Sequence, residues 1–210
     1  MRGNHATLQA RRISGGVRFG VLMGAILAGI AVLLALPAMG LAAKASFGAK
    51  LNEPGIKPVK SPRKCKWNQT AACTRLPLFY VHPPHAGSTP YAPHVGTIKT
   101  IKLIARNPGT LRIQIGEANE QALPTGEVYG NGPKLQYKGT GQVEKFKVNV
   151  PVSNFDYIGF RSKRANTLSC KQPGLESSYQ FEPVLQPGAP SQVSSWQEEC
   201  THLIKAQMVY

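Results

Sequence analysis

The chain has 210 residues, with 25 lysines and arginines against 10 acidic residues and a net charge of +15. A chain near that size buries roughly 70% of its unfolded surface, so it needs no metal to hold a core. The charge fits either a solvated soluble surface or attraction to anionic polymers such as wall polysaccharide, acidic lipid or extracellular nucleic acid.

Residues 1–45 hold Arg2, Arg11, Arg12 and Arg18, an uncharged apolar run from Phe19 to Ala43, and then Ala43-Lys44-Ala45. This is the pattern of an N-terminal export signal helix. Pro37 breaks the run near its end, and Gly40, Ala42, Ala43 and Ala45 are the small residues a signal peptidase accepts, which favours cleavage after Ala42 or Ala45. The run also reaches the roughly 20 residues of a membrane span, so an uncleaved anchor is the alternative. Either way the rest of the chain is expected outside the cytoplasm, secreted or attached to the cell membrane by that helix. Thiols oxidise there, and ATP and NAD are scarce. Beyond the signal the net charge is still about +10.

Residues 46–75 are rich in Lys, Pro and turn formers, with Pro54-Gly55, Pro58 and Ser61-Pro62, and predict an extended arm carrying a cysteine loop. Residues 76–210 predict one β-domain. Its first weak strand is Leu76 to Val81, followed by an irregular loop from His82 to Pro93. From Thr97 to Arg106, Ile101, Leu103 and Ala105 share one face while Lys102 and Arg106 take the other. Asn107-Pro108-Gly109-Thr110 then turns the chain into Leu111, Ile113 and Ile115, which alternate with Arg112 and Gln114, giving a hairpin. Val143 to Val152 and Tyr157 to Lys163 repeat the alternation. Weaker strands are Val128 to Lys138, interrupted at Gly130-Asn131-Gly132-Pro133, Ser178 to Glu182, and Thr201 to Tyr210. No amphipathic helix is expected after the signal. Short strands with one apolar face each predict an all-β fold, an antiparallel β-sandwich of jelly-roll type, with a few-stranded barrel as the alternative.

Cys65, Cys73, Cys170 and Cys200 all lie in the exported part, and their even number predicts two disulfides. Three connectivities are open. Local loop closure favours Cys65 with Cys73 and Cys170 with Cys200.

Several segments resemble a known group. They are Ala45-Ser46-Phe47-Gly48-Ala49-Lys50-Leu51, the short cysteine loop, G-T-I-K-T-I-K-L-I-A from Gly96, L-R-I-Q-I from Leu111, N-G-P-K-L-Q-Y from Asn131, E-K-F-K-V-N-V-P-V from Glu144 and Y-I-G-F from Tyr157. Together they resemble secreted β-sandwich proteins of actinobacteria that carry no assigned activity. The resemblance covers most of residues 45–210 and implies the architecture. It brings no catalytic residues, and fold analogy supplies no function.

Chemistry is sought residue by residue. His82, His85 and His94 have spacing suggestive of a Zn or Cu site, but Pro83-Pro84 holds the first two on extended backbone and no acidic residue in that loop orients an imidazole. No metal and no cofactor is expected. A hydrolase needs paired carboxylates, and Glu117, Glu120 and Glu127 are expected in one loop between strands; Glu144 and the single aspartate, Asp156, are the other candidates. No G-x-S-x-G elbow marks a serine nucleophile. A binding role fits better. Tyr129, Tyr137, Trp67 and Trp196 offer flat faces to sugar rings, and Lys134, Lys138, Arg161, Lys163 and Arg164 offer charge to anions. Asn68-Gln69-Thr70 is formally a glycosylation sequon. The expected function is that of a non-catalytic exported domain binding an anionic envelope polysaccharide or a partner protein, without specific nucleic-acid recognition. The alternatives are a secreted hydrolase using the Glu117 to Glu127 loop and a purely structural spacer.

Overall fold

Alternation of apolar and polar residues becomes antiparallel pairing in every sheet of the computed structural model. The structure describes residues 42–51, 59–60, 65, 72–79, 89–119, 123–163, 168–171, 176–198 and 200–210. The export signal, most of the arm and its sequon, His82, His85, Trp67, Glu120 and Arg164 lie outside the described residues. Among those described there is no helix, and therefore none long and apolar enough to cross a membrane.

The strands in chain order are β1 (Lys44–Gly48), β2 (Val59–Lys60), β3 (Cys73–Phe79), β4 (Gly96–Ile104), β5 (Gly109–Asn119), β6 (Thr125–Tyr137) and β7 (Val143–Val152). They continue with β8 (Tyr157–Ser162), β9 (Ser169–Lys171), β10 (Glu176–Phe181), β11 (Gln192–Val193), β12 (Trp196–Glu198), β13 (Thr201–His202) and β14 (Ile204–Val209). Three sheets form, in the orders β1-β14-β4-β7, β11-β6-β5-β8-β3-β10-β12 and β13-β9-β2. Every strand pair within them is antiparallel.

The seven-stranded sheet organises the rest. Half of its inner face packs on the four-stranded sheet. Phe47, Ile98, Ile101 and Leu103 from the smaller sheet, with Ile204 and Met208, meet Leu111, Ile113, Ile115, Ile158 and Phe160 from the larger one in a single apolar core. The other half of that face, at β3 and β10, lies beneath β9 and β13, where the contacts are polar. On the outer face a second cluster, Leu76, Val128, Tyr179 and Phe181, is covered by Leu185 from the segment after β10.

Several segments differ from the sequence-based expectation, and two of them shape the sheets that carry the core. Lys44–Gly48, expected at the cleavage region and the start of the arm, forms strand β1 beside β14, because Phe47 alternates into the core. The interruption expected at Gly130-Pro133 is accommodated inside one long strand. There β6 passes Arg112 and Gln114 with Lys134 and Asn131, leaving Gly132 and Pro133 opposite the single residue Ile113. This is a bulge. Pro133 has no amide hydrogen for the ladder, and a side chain on Gly132 would begin 3.0 Å from Ile113 Cβ.

Both expected disulfides are present, Cys65–Cys73 across 8 positions and Cys170–Cys200 across 30. The longer loop restricts the unfolded chain more. Replacing Cys170 and Cys200 together by Ala is expected to lower stability by about 3 to 4 kcal/mol, and the Cys65/Cys73 double replacement by about 2 to 3 kcal/mol, measured by urea unfolding of the two variants.

Candidate functional site

Period-two alternation decides which residues of β5 meet solvent. Leu111, Ile113 and Ile115 enter the core, so Arg112 and Gln114 point to the outer face of the sheet. Arg112 stands directly opposite Lys134 on β6 and Arg161 on β8. Three cations therefore lie in one row across three neighbouring strands, spanning about 10 Å at ordinary strand spacing. Lys163 follows Arg161 by two residues and extends the patch. A cavity of about 360 Å³ opens here, lined by these four cations with Thr110, Leu111 and Ser162.

Like charges directly opposite one another destabilise a sheet. Nothing offsets them locally, because none of the four cations forms an ion pair or side-chain hydrogen bond among the described residues. Their backbone is nevertheless held firmly. Thr74 of β3, opposite Arg161, donates from Oγ1 to Gln114 Oε1 at 2.7 Å. Gln114 Nε2 donates to Asn131 Oδ1 at 3.0 Å and to the Leu185 carbonyl at 3.1 Å, and the Leu185 amide donates to Thr74 Oγ1 at 3.1 Å. A saturated polar strip thus ties β3, β5 and β6 together beside the cationic row.

Of the residues singled out from sequence, Lys134, Arg161 and Lys163 are brought together here. Tyr137 is not. At 2% exposure its ring belongs to the apolar core, because it shares the inward parity of Leu135, so it offers no face to a ligand. Lys138 lies past the end of β6, where its amide and that of Gly139 both donate to the Glu144 carboxylate at 2.8 Å. That pair of bonds gives Glu144 a role in fixing a turn. Tyr129 is exposed at the opposite end of the hairpin, and Trp196 lies on β12, far across the sheet from the row. Arg112 was not among the expected binding residues. Its outward parity was readable, but its neighbours depend on register.

Glu117 and Glu127 are not in a loop. They face each other across β5 and β6, which run further than the alternation indicates because Gly116 and Gly126 leave room for close packing. A Cβ on Gly126 would meet Phe181 Cζ at 2.6 Å. Tyr129 Oη donates to Glu127 Oε1 at 2.7 Å, and burial together with the two glutamates raises the tyrosine pKa. Asp156 accepts the Ser153 amide on Oδ2 at 2.6 Å; burial raises its pKa against the pull of that bond, and Glu117 raises it further. His94 stacks on Tyr210 with ring centroids 3.9 Å apart.

A second polar cluster lies inside the protein, under β9 and β13. Arg75, 1% exposed, places Nε 3.5 Å from Glu198 Oε1 and donates from Nη2 to Gln180 Oε1 at 3.1 Å and from Nη1 to Ser162 Oγ at 3.4 Å. His202 Nδ1 lies 2.9 Å from Ser178 Oγ, with Nε2 3.8 Å from Glu198 Oε2. Ser, His and Glu thus meet as in a nucleophilic triad, although no sequence motif marks them. All three are sealed from solvent, and Ser178 Oγ also lies 2.9 Å from the Cys200 carbonyl, so the set ties β10, β12 and β13 together and presents no nucleophile. No protein-family model matches the chain, and no curated protein matches it in sequence.

Burial, and then the neighbouring Arg75 charge, hold the His202 pKa well below its ordinary 6.5. The unfolded chain therefore takes up this proton first as pH falls, and stability is lost below about pH 6.5. The expected slope is up to about 1.4 kcal/mol per pH unit for one proton. His202→Gln is expected to remove that slope between about pH 6.5 and 5, read from urea midpoints of variant and wild type across that range.

Proposed function

We propose that this chain is an exported, non-catalytic binding domain that holds an anionic polymer of the cell envelope on the Lys134–Arg112–Arg161 row. The carrying observation is that row itself, three like charges in direct register beside a cavity, with no carboxylate among the described residues to neutralise them. An anion supplied from outside offsets a repulsion the fold otherwise bears. Export is supported by two disulfides, which persist in oxidising compartments. The pairing of the first and last strands in one sheet supports a jelly-roll winding.

The same pairing supports cleavage of the leader after Ala42, the first of the two expected positions. Ala43 exchanges two backbone hydrogen bonds with Tyr210, at 3.1 and 3.0 Å, and Lys44 and Ala45 pair with Val209 and Met208. A cut after Ala42 keeps all of these, whereas a cut after Ala45 removes them. The exported protein is expected to begin at Ala43 by intact mass and N-terminal sequencing; a start at Ser46, or a retained leader, contradicts this.

Binding is tested by retention on isolated envelope fractions at low and high salt. Wild type is expected to be retained at low ionic strength and released near 1 M salt, where charges are screened within about 3 Å. The combined variant Arg112→Gln, Lys134→Gln, Arg161→Gln, Lys163→Gln is expected to wash through at both. Equal retention of the two proteins, or none at any salt, overturns the assignment.

A further inference from the structure

The cation row crosses three neighbouring strands in register, and its dimensions constrain what it holds. Along β5, Thr110 and Arg112 point to the same side; Arg161 is on β8, and Lys163, just past the end of that strand, lines the same cavity. With Lys134 on β6, the patch measures about 10 Å across the strands and 7 Å along them. Arg112 is its centre, with a cation on each side in register. Among the described residues no aromatic side chain lines the cavity, so none of those lining it offers a stacking face to a sugar ring or a base. Charge and donor geometry are what remain.

We infer, building on the binding function proposed above, that the ligand group seated in this cavity is a pair of adjacent phosphates, as in a pyrophosphate or closely spaced phosphate esters. A single carboxylate is saturated by one guanidinium fork. A polymer with one carboxylate per sugar would bring too few charges into this footprint and leave part of the row uncompensated. Phosphate presents three acceptor oxygens and up to two charges, so two successive groups engage both guanidinium forks and leave oxygens for the flanking ammonium groups of Lys134 and Lys163. The Thr110 hydroxyl adds a neutral donor at the edge. The bulge at Gly132-Pro133 matters to this, because it keeps Lys134 and Asn131 on the same face as Arg112 and Gln114.

The test uses the full-length chain and anionic probes at fixed ionic strength: phosphate, pyrophosphate, tripolyphosphate, sulfate and a galacturonate trimer. Binding is followed by calorimetry and by the rise in melting temperature that a ligand of the folded state produces. Pyrophosphate is expected to bind at least about tenfold more tightly than phosphate, sulfate or the galacturonate trimer, a difference of about 1.4 kcal/mol. Arg112→Lys and Arg161→Lys keep the charge but lose the fork, and each is expected to lose most of that preference while melting like wild type without ligand. If both lysine variants bind pyrophosphate like wild type, or if galacturonate or sulfate binds as tightly, the phosphate assignment fails while anion binding stands. If no probe binds at low salt and envelope retention is also absent, both fail. Arg112→Gln provides an independent check. Removing the middle charge is expected to raise the melting temperature in ligand-free buffer and to abolish the rise on adding pyrophosphate; a lower melting temperature with an intact pyrophosphate response overturns the inference.

Discussion

The register of β5 against its two neighbours is the constraint on which the structure rests. In a strand, side chains alternate between faces, so a slip of one residue would carry Arg112 and Gln114 inward and put Leu111, Ile113 and Ile115 on the surface. The core fixes that register. Ile113 and Ile115 are locked between β4, β14 and β8, and once they are placed Arg112 has no position except beside Lys134 and Arg161. The like-charge row is therefore a direct consequence of the packing that makes the fold. Stability elsewhere in the apolar core is strong enough to carry a repulsion that exposed cross-strand pairs place at a few tenths of a kcal/mol to about 1 kcal/mol each.

The seven-stranded sheet is covered by two different kinds of interior, and this accounts for the positions of the disulfides. Beneath β1, β14, β4 and β7 the contacts are apolar. Beneath β9 and β13 they are Arg75, Glu198, His202, Ser178 and Gln180, whose burial costs desolvation that a buried ion pair repays only partly. Cys65–Cys73 starts β3 next to Arg75, and Cys170–Cys200 joins β9 to the turn before β13. Both covalent links lie at the half of the molecule where apolar burial contributes least. Oxidation and the polar interior thus belong to one arrangement, which suits a protein folding where disulfides persist.

Much of this was legible in the sequence where one face of a strand is apolar. Val143–Val152 has the predicted bounds, and β4 and β8 differ from the prediction by only a residue or two at their ends, because their alternation is strict. β1 was hidden because Ala43, Lys44 and Ala45 also satisfy the small-residue rule for signal cleavage, and only Phe47 hints at a core position. The polar interior was not legible at all. Nothing local distinguishes a buried arginine such as Arg75 from a surface one; its partners Gln180 and Glu198 are brought close by the pairing of β3, β10 and β12. The cationic site falls between these cases. Outward parity of Arg112 and of Lys134 follows from their neighbours, but their juxtaposition with Arg161 requires the register of three strands and a bulge. Tyr137 shows the converse. Its parity with Leu135 pointed inward, and composition alone made it look like a binding face.

One hairpin carries two like-charge pairs, and the contrast between them supports the ligand site proposed at the cationic end. Arg112 opposes Lys134, and five residues further along β5, about 17 Å away, Glu117 opposes Glu127. A sheet selected for stability alone would exchange one partner of each pair and gain two attractive contacts. At the acidic end the protein supplies relief from within, since the Tyr129 hydroxyl donates to Glu127. At the cationic end it supplies none among the described residues, although the saturated strip of Thr74, Gln114 and Asn131 runs alongside and holds the strands rigid. A rigid scaffold presenting uncompensated charge is partly preorganised for an ion that arrives from solution, because the backbone carrying the donors is fixed before the ligand binds and only their side chains are left to order.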